Sequence, residues 1–120
     1  MHALIIEDDY LISRAIQDML GDLGFTDFSF ARSEDAAILE GTGAERFDLV
    51  TADARLTPGD GVKAAEAIRA KTGTPLVFVT AYTHELEGRL EGALAGVPVV
   101  RKPLDPAELA AGVRRARARP

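Results

Sequence analysis

The sequence predicts an α/β domain in which a doubly wound parallel sheet of five strands is joined by five helices. Three observations carry this reading. Five short apolar runs alternate with longer stretches of helical periodicity, the pattern of parallel strands linked by crossover helices. Three of those runs, at residues 3–6, 49–52 and 76–80, are apolar along their length, as strands covered on both faces would be. Aliphatic residues and Ala supply nearly all of the apolar content, with no Trp, five Phe and two Tyr in 120 residues, the balance of a domain built on Val, Ile and Leu strands. That length fits one core, so a single domain over residues 1–120 is expected.

The first run is followed by Leu11, Ile12, Ala15, Ile16, Met19, Leu20 and Leu23 at helical spacing, with Gly24 as the stop. The second run, residues 28–31, is short and mixed with Ser29, which marks an edge strand. The third and fourth runs belong with the first at the centre of the sheet. Between the fourth and fifth runs, Leu86, Leu90 and Leu94 predict a helix interrupted by Gly88 and Gly92, at about 1 kcal/mol each relative to Ala. It should be the loosest helix. The fifth run, residues 97–100, contains Pro98, which cannot donate to a ladder and so points to the other edge. A last helix starts at Asp105 as N-cap, with Pro106 in its first turn and Glu108 three residues after the cap. Leu109, Val113 and Ala116 form its apolar stripe, and the terminal RRARARP reads as a solvated basic helix end.

The net charge of −5 argues against a nucleic-acid binder, which needs basic surface to displace counterions, and against anionic membranes. Cysteine is absent, which excludes disulfides, a thiol nucleophile and Cys-ligated zinc. No apolar run approaches the roughly 20 residues of a membrane span, and MHALIIEDD reaches acids too soon for a signal peptide. A soluble, cytoplasmic protein is the expectation.

In an open parallel sheet the carboxyl ends of the strands share one rim, and ligands bind there near the switch in strand order. The first strand ends at Glu7 and Asp8, the third at Asp53, the fourth at Thr80 and the fifth at Lys102. Singly, each has an ordinary explanation: the acids as a helix cap, Asp53 as a turn residue, Thr80 as an N-cap, Lys102 as a solvated charge. Together they put a polar or charged residue on the same rim from four of five strands. Three carboxylates there repel one another unless a cation compensates. Oxygen donors without His or Cys favour a hard ion, and Mg²⁺ suits one or two carboxylates, waters and a substrate phosphate. With such an ion present, a carboxylate can act as nucleophile toward phosphorus, and Lys102 and the Thr80 hydroxyl supply further donors. Pro103 fixes the backbone beside Lys102.

The segments LIIEDD, DLVTAD followed by PGDG, VFVTA and RKP, in that order across the five strands, resemble the receiver family of two-component signalling. The likeness covers essentially the whole chain. It implies a flavodoxin-like sheet of order 2-1-3-4-5, with Glu7 and Asp8 as the acidic pair and Asp53 as phosphoacceptor. Thr80 would then be the hydroxyl that follows the phosphoryl group, and Lys102 its ion-pair partner. Family receivers also use a backbone carbonyl two residues past the phosphoacceptor as a metal ligand, here that of Arg55, so the implied Mg²⁺ set is Glu7, Asp8, Asp53 and Arg55. The implied function is that of a response regulator. It takes its phosphoryl group from a sensor histidine kinase or a histidine phosphotransfer protein, catalyses only its own phosphorylation and dephosphorylation, and acts on a downstream protein target. A receiver detached from a longer regulator would read the same way.

One position departs from the family pattern. Family receivers commonly carry Tyr or Phe three residues before the lysine, whereas this chain has Val99, which leaves Tyr82 as the nearest aromatic that could exchange an exposed for a docked position. Tyr82 and Arg55 are expected to flank the path of the water that hydrolyses the acyl phosphate. PLVFVTAY is also similar to a motif of single-domain receivers in bacterial general stress signalling, differing at Leu76, Val79 and Ala81. Among rivals, a haloacid-dehalogenase-type phosphatase would carry an acid two residues after its nucleophile, where this chain has Arg55. A flavodoxin-type electron carrier lacks its phosphate loop after strand one, and a P-loop enzyme lacks its glycine-lysine motif.

Overall fold

The computed structural model describes residues 1–118. Its elements run β1 (His2–Ile6), α1 (Tyr10–Asp22), β2 (Asp27–Ala31), α2 (Glu34–Gly41), β3 (Leu49–Ala52), α3 (Gly61–Thr72), β4 (Leu76–Thr80), β5 (Val99–Arg101) and α4 (Pro106–Ala118). All five strands pair in parallel in the order β2-β1-β3-β4-β5. The strands expected at the centre are the central ones, buried at nearly every position, and the two interrupted runs lie at the edges.

Side-chain alternation along each strand splits the core into two layers. Leu4, Ile6, Val50, Ala52 and Phe78 pack on one face with Ala37 of α2 and Ala64, Ala65 and Ile68 of α3. Ala3, Ile5, Leu49, Val77 and Val79 pack on the other with Ile16 and Leu20 of α1 and Leu109, Val113 and Ala116 of α4. Each helix starts on a side-chain cap. Asp9 accepts from the Ile12 N–H, Ser33 from Ala36, Asp60 from Val62 and Lys63, and Asp105 from Ala107. Gly24 follows α1 at φ 101°, a conformation open mainly to glycine, and so serves as the predicted stop.

Three expectations change. Four α-helices are present among the described residues, not five, because the connection from β4 to β5 holds only two short 3₁₀ turns, Thr83–Leu86 and Gly92–Leu94. Gly88, Gly92 and Gly96 sit there at φ 70°, 57° and 74°, so right-handed helix is broken every four residues. The leucine pattern still drives burial, since Leu86 and Leu94 enter the core and Leu90 packs against it. Strand five starts at Val99, and Pro98 precedes it, accepting from the Phe78 N–H through its carbonyl. Leu11 faces solvent at 77% exposure, because the buried stripe of α1 runs through Ile16 and Leu20. Of the basic tail, Arg119 and Pro120 lie outside the described residues.

Candidate functional site

The strand ends deliver their residues to one rim, as the topology requires. The Glu7 N–H donates to the Ala31 carbonyl, and the Asp53 N–H to that of Ile6, so each carboxylate is fixed by the ladder beside it. The Lys102 N–H donates to the Thr80 carbonyl in the same way. From this position the Lys102 ammonium reaches back across the sheet, 2.7 Å from Glu7 Oε1 and 2.8 Å from Asp53 Oδ2. The Arg55 N–H donates to the other Asp53 oxygen at 3.2 Å. Glu7 and Asp53 are 3% and 4% exposed, while Asp8 is half-buried.

A cavity of about 220 Å³ opens above these groups, lined by Glu7, Asp8, Asp9, Ile12, Asp53, Arg55, Thr57, Ala81, Tyr82 and Lys102. A larger cavity of about 630 Å³ lies at the opposite end of the sheet, between residues 41–48 and 71–75. The smaller one holds the convergent buried charges, and chemistry rather than volume marks the site. Thr80 is fully buried and does not line the cavity; its hydroxyl accepts from the Tyr82 N–H at 2.9 Å. Asp9, the third acid of the run, is the helix cap, so cap and cluster readings divide that run between them.

Electrostatics follow from two buried carboxylates sharing one ammonium. Burial pushes the Glu7 carboxyl up to about 7, against the opposing pull of Lys102. Burial also works against the Lys102 charge, but hydrogen bonds to Asp53 and Glu7 outweigh it and hold the ammonium above the ordinary lysine value. Lys102 serves two acceptors at once, so its pull on Glu7 is shared and burial prevails there.

The donor set fits a hard cation. One oxygen from each of Glu7, Asp8 and Asp53 lies within 4.8 Å of the others, and these are oxygen donors of the kind Mg²⁺ takes. Among the described residues the Asp8 carboxylate has no hydrogen bond or ion pair, so it is free to accept one.

Three residues around the site were given no role from the sequence: Asp60, Gly61 and Glu85. A Cβ on Gly61 would lie 1.7 Å from the Asp53 carbonyl oxygen. Thus the α3 N-terminus rests directly on the strand end that holds Asp53, and glycine is needed for contact rather than for φ. Asp60, bonded to Arg89, lies in the PGDG segment and ahead of a helical run, a cap signal that would have found it; Glu85, bonded to Arg55, carried none.

Strand order and rim placement define the class, a flavodoxin-like α/β domain with its polar site at the carboxyl ends of the strands. The family model for the response regulator receiver domain matches residues 3–114. The chain belongs to that family, whose members serve two-component systems. Protein PetR of Rhodobacter capsulatus is 33% identical over 113 residues, covering 90% of this chain and 45% of that protein. The transcriptional regulatory protein CrdR of Helicobacter pylori is 27% identical over 92% of this chain and 52% of its own length. The chain therefore spans about half the length of the curated relatives it matches. Among solved structures, the receiver domain of Erythrobacter litoralis PhyR aligns with a TM-score of 0.82 at 29% identity, covering 96% of this chain and 88% of that one. The receiver domain of a Pseudomonas aeruginosa sensor histidine kinase, solved with a magnesium ion in its active site cleft, aligns at 0.77 and 27% identity, with 98% of each chain covered.

Proposed function

We propose that the protein is a response regulator whose Asp53 accepts a phosphoryl group from the phosphohistidine of a sensor histidine kinase or histidine phosphotransfer protein. The observation that carries this is the buried Asp53 carboxylate, held by Lys102 and the Arg55 N–H, with Glu7 and Asp8 oxygens within 4.8 Å. In the transfer an Asp53 oxygen attacks phosphorus, the P–N bond breaks, and the imidazole leaves as the acyl phosphate forms. Hydrolysis later breaks the P–O bond to Asp53, water supplies the new oxygen, and orthophosphate departs. Glu7, Asp8, Asp53 and the Arg55 carbonyl would hold Mg²⁺. The ion supplies neutralisation of the phosphoryl oxygens. Lys102, shared between Glu7 and Asp53, would pair with the phosphoryl group, and the Thr80 hydroxyl, which accepts from the Tyr82 N–H at 2.9 Å, would turn to donate to a phosphoryl oxygen.

Output then passes to a downstream protein through a surface that differs between the two states, without direct contact to nucleic acid or membrane. A cytoplasmic location suits a kinase-fed acceptor, and no helix among the described residues is long and apolar enough to cross a membrane. The test is treatment with a small phosphodonor and Mg²⁺, comparing wild type with Asp53→Asn for acid-labile phosphate. Label confined to wild type supports the assignment; equal label in both removes it.

A further inference from the structure

The loop after β3 and the segment after β4 are tied together by charge across the mouth of the site. The Arg55 guanidinium lies 3.9 Å over the Tyr82 ring and hydrogen-bonds the Glu85 carboxylate. That bond holds the guanidinium above its ordinary value and the Glu85 carboxyl below its own. A second tie joins Arg89 to Asp60 at 2.7 Å, and Asp60 is also the cap of α3. The two ties differ in their relation to Asp53. Arg55 and Tyr82 line the cavity with Asp53, and the Arg55 N–H is bonded to the Asp53 carboxylate, yet the charged head of Arg55 is bonded to Glu85, which does not line the cavity. Asp60 and Arg89 lie outside the cavity lining altogether.

We propose that Glu85 is a positioning residue that holds the Arg55 guanidinium off the Asp53 site until a phosphoryl group arrives, whereupon Arg55 changes partner and the Thr83–Leu86 turn loses its tie. This rests on the reading of Asp53 as phosphoacceptor. An exposed single ion pair is weak, because solvent screens it and two long side chains must be ordered to form it. A phosphoryl group offers nearly two negative charges and three acceptor oxygens, and guanidinium meets such oxygens bidentately. The exchange therefore runs downhill once the dianion is in place. The Asp60–Arg89 tie stays made, so release is confined to the turn and to Tyr82, whose ring loses the cation above it.

Beryllofluoride with Mg²⁺, a stable phosphoryl mimic, tests this in the full chain by calorimetry and amide exchange. In wild type it should speed exchange at residues 83–86 and leave 92–94 unchanged. Glu85→Gln should show the fast exchange without the mimic and bind it several-fold more tightly, because Arg55 is already free. Arg55→Gln should bind it several-fold more weakly, and the double variant should match Arg55→Gln, since Glu85 acts only through Arg55. Asp53→Asn separates the two readings: undiminished binding there removes the phosphoacceptor assignment itself. If Asp53→Asn abolishes binding while Glu85→Gln binds like wild type, or tightens binding equally without Arg55, Glu85 does not position Arg55 and the proposal fails.

Discussion

Gly61→Ala is the substitution on which the link between fold and site can be judged most sharply. Residue 61 opens α3, and its N–H donates to the Ala54 carbonyl, so it cannot move without loosening the strand end that carries Asp53. An added Cβ would stand 1.7 Å from the Asp53 carbonyl oxygen and 2.8 Å from its carbon. Real Cβ atoms hardly ever come closer than 3.0 Å, which leaves a shortfall of 3.0 − 1.7 = 1.3 Å against backbone that has no rotamer to yield. The helix start and the strand end must therefore separate by about that much. Overpacking of this kind costs typically 1–3 kcal/mol, and a backbone clash belongs at the upper end, about 3 kcal/mol. Gly21 is the matched control, a helical glycine with nothing within 4 Å of its added Cβ. Gly21→Ala should stabilise by about 0.5–1 kcal/mol through helix propensity. Urea unfolding followed by far-ultraviolet circular dichroism reads both changes, and Mg²⁺ titration of Gly61→Ala should show weakened binding as Asp53 shifts. Equal midpoints and equal Mg²⁺ affinity in Gly61→Ala and wild type would refute the claim that this contact sets the position of Asp53.

Four further outcomes follow from the same geometry. The Thr51 hydroxyl is buried between Ile5 and Val77 with no hydrogen-bond partner among the described residues; Thr51→Val should raise the thermal midpoint, with a gain of about 1 kcal/mol. Glu7 takes its proton at about 7 in the folded chain against 4.5 unfolded, so stability is fully present below 4.5 and is lost as pH rises through 7, by about 3 kcal/mol in all. Glu7→Gln should flatten that slope in urea midpoints measured between pH 4.5 and 8. Asp60 goes the other way: despite some burial, the Arg89 hydrogen bond and two N–H groups of α3 hold its carboxyl below 3.8, so its contribution is present above that value and is lost as pH falls below it. Asp60→Ala should cost about 1 kcal/mol as a lost cap and reduce the loss of stability in acid. Finally, Mg²⁺ affinity should fall sharply in Asp8→Asn and less in Glu7→Gln; an unchanged affinity in Asp8→Asn would return that residue to the role of an ordinary acid beside a helix start.

How much of this was readable in the chain depends on the range of the interaction that decides each feature. The choice of central strands, the edges and the cap at Asp105 rest on signals within a few residues: continuous apolar runs, Pro98, and the Asp-Pro spacing; the order 2-1-3-4-5 itself came with the likeness to receivers. The rim was readable for a related reason, since parallel topology gathers every strand end at one side whatever the details of packing. The helix expected between β4 and β5 failed because leucine periodicity reports which side is buried, not which backbone buries it, and three glycines at positive φ settle the backbone instead. Leu11 failed because a seven-residue stripe is wider than the face α1 can bury. The Gly61 contact and the Arg55–Glu85 tie were invisible because each joins segments whose approach only the finished fold determines.

The charge at the rim explains why the site is both stable enough to fold and unfinished. Among the described residues, Glu7, Asp8 and Asp53 face one close cation, Lys102, whose ammonium is already divided between Glu7 and Asp53. Removing that lysine would leave two buried carboxylates unpaired, which is the costly half of a broken buried ion pair. Its presence makes the folded state tolerable without making the site neutral. The remaining imbalance is met in two places: at Glu7, where burial lifts the carboxyl until it holds a proton near neutrality, and at Asp8, whose carboxylate has no partner among the described residues. Added positive charge therefore gains most at the cavity side of Asp8. A dianionic group arriving on Asp53 would reverse the balance there, and would draw on Lys102 and on the guanidinium that Glu85 holds.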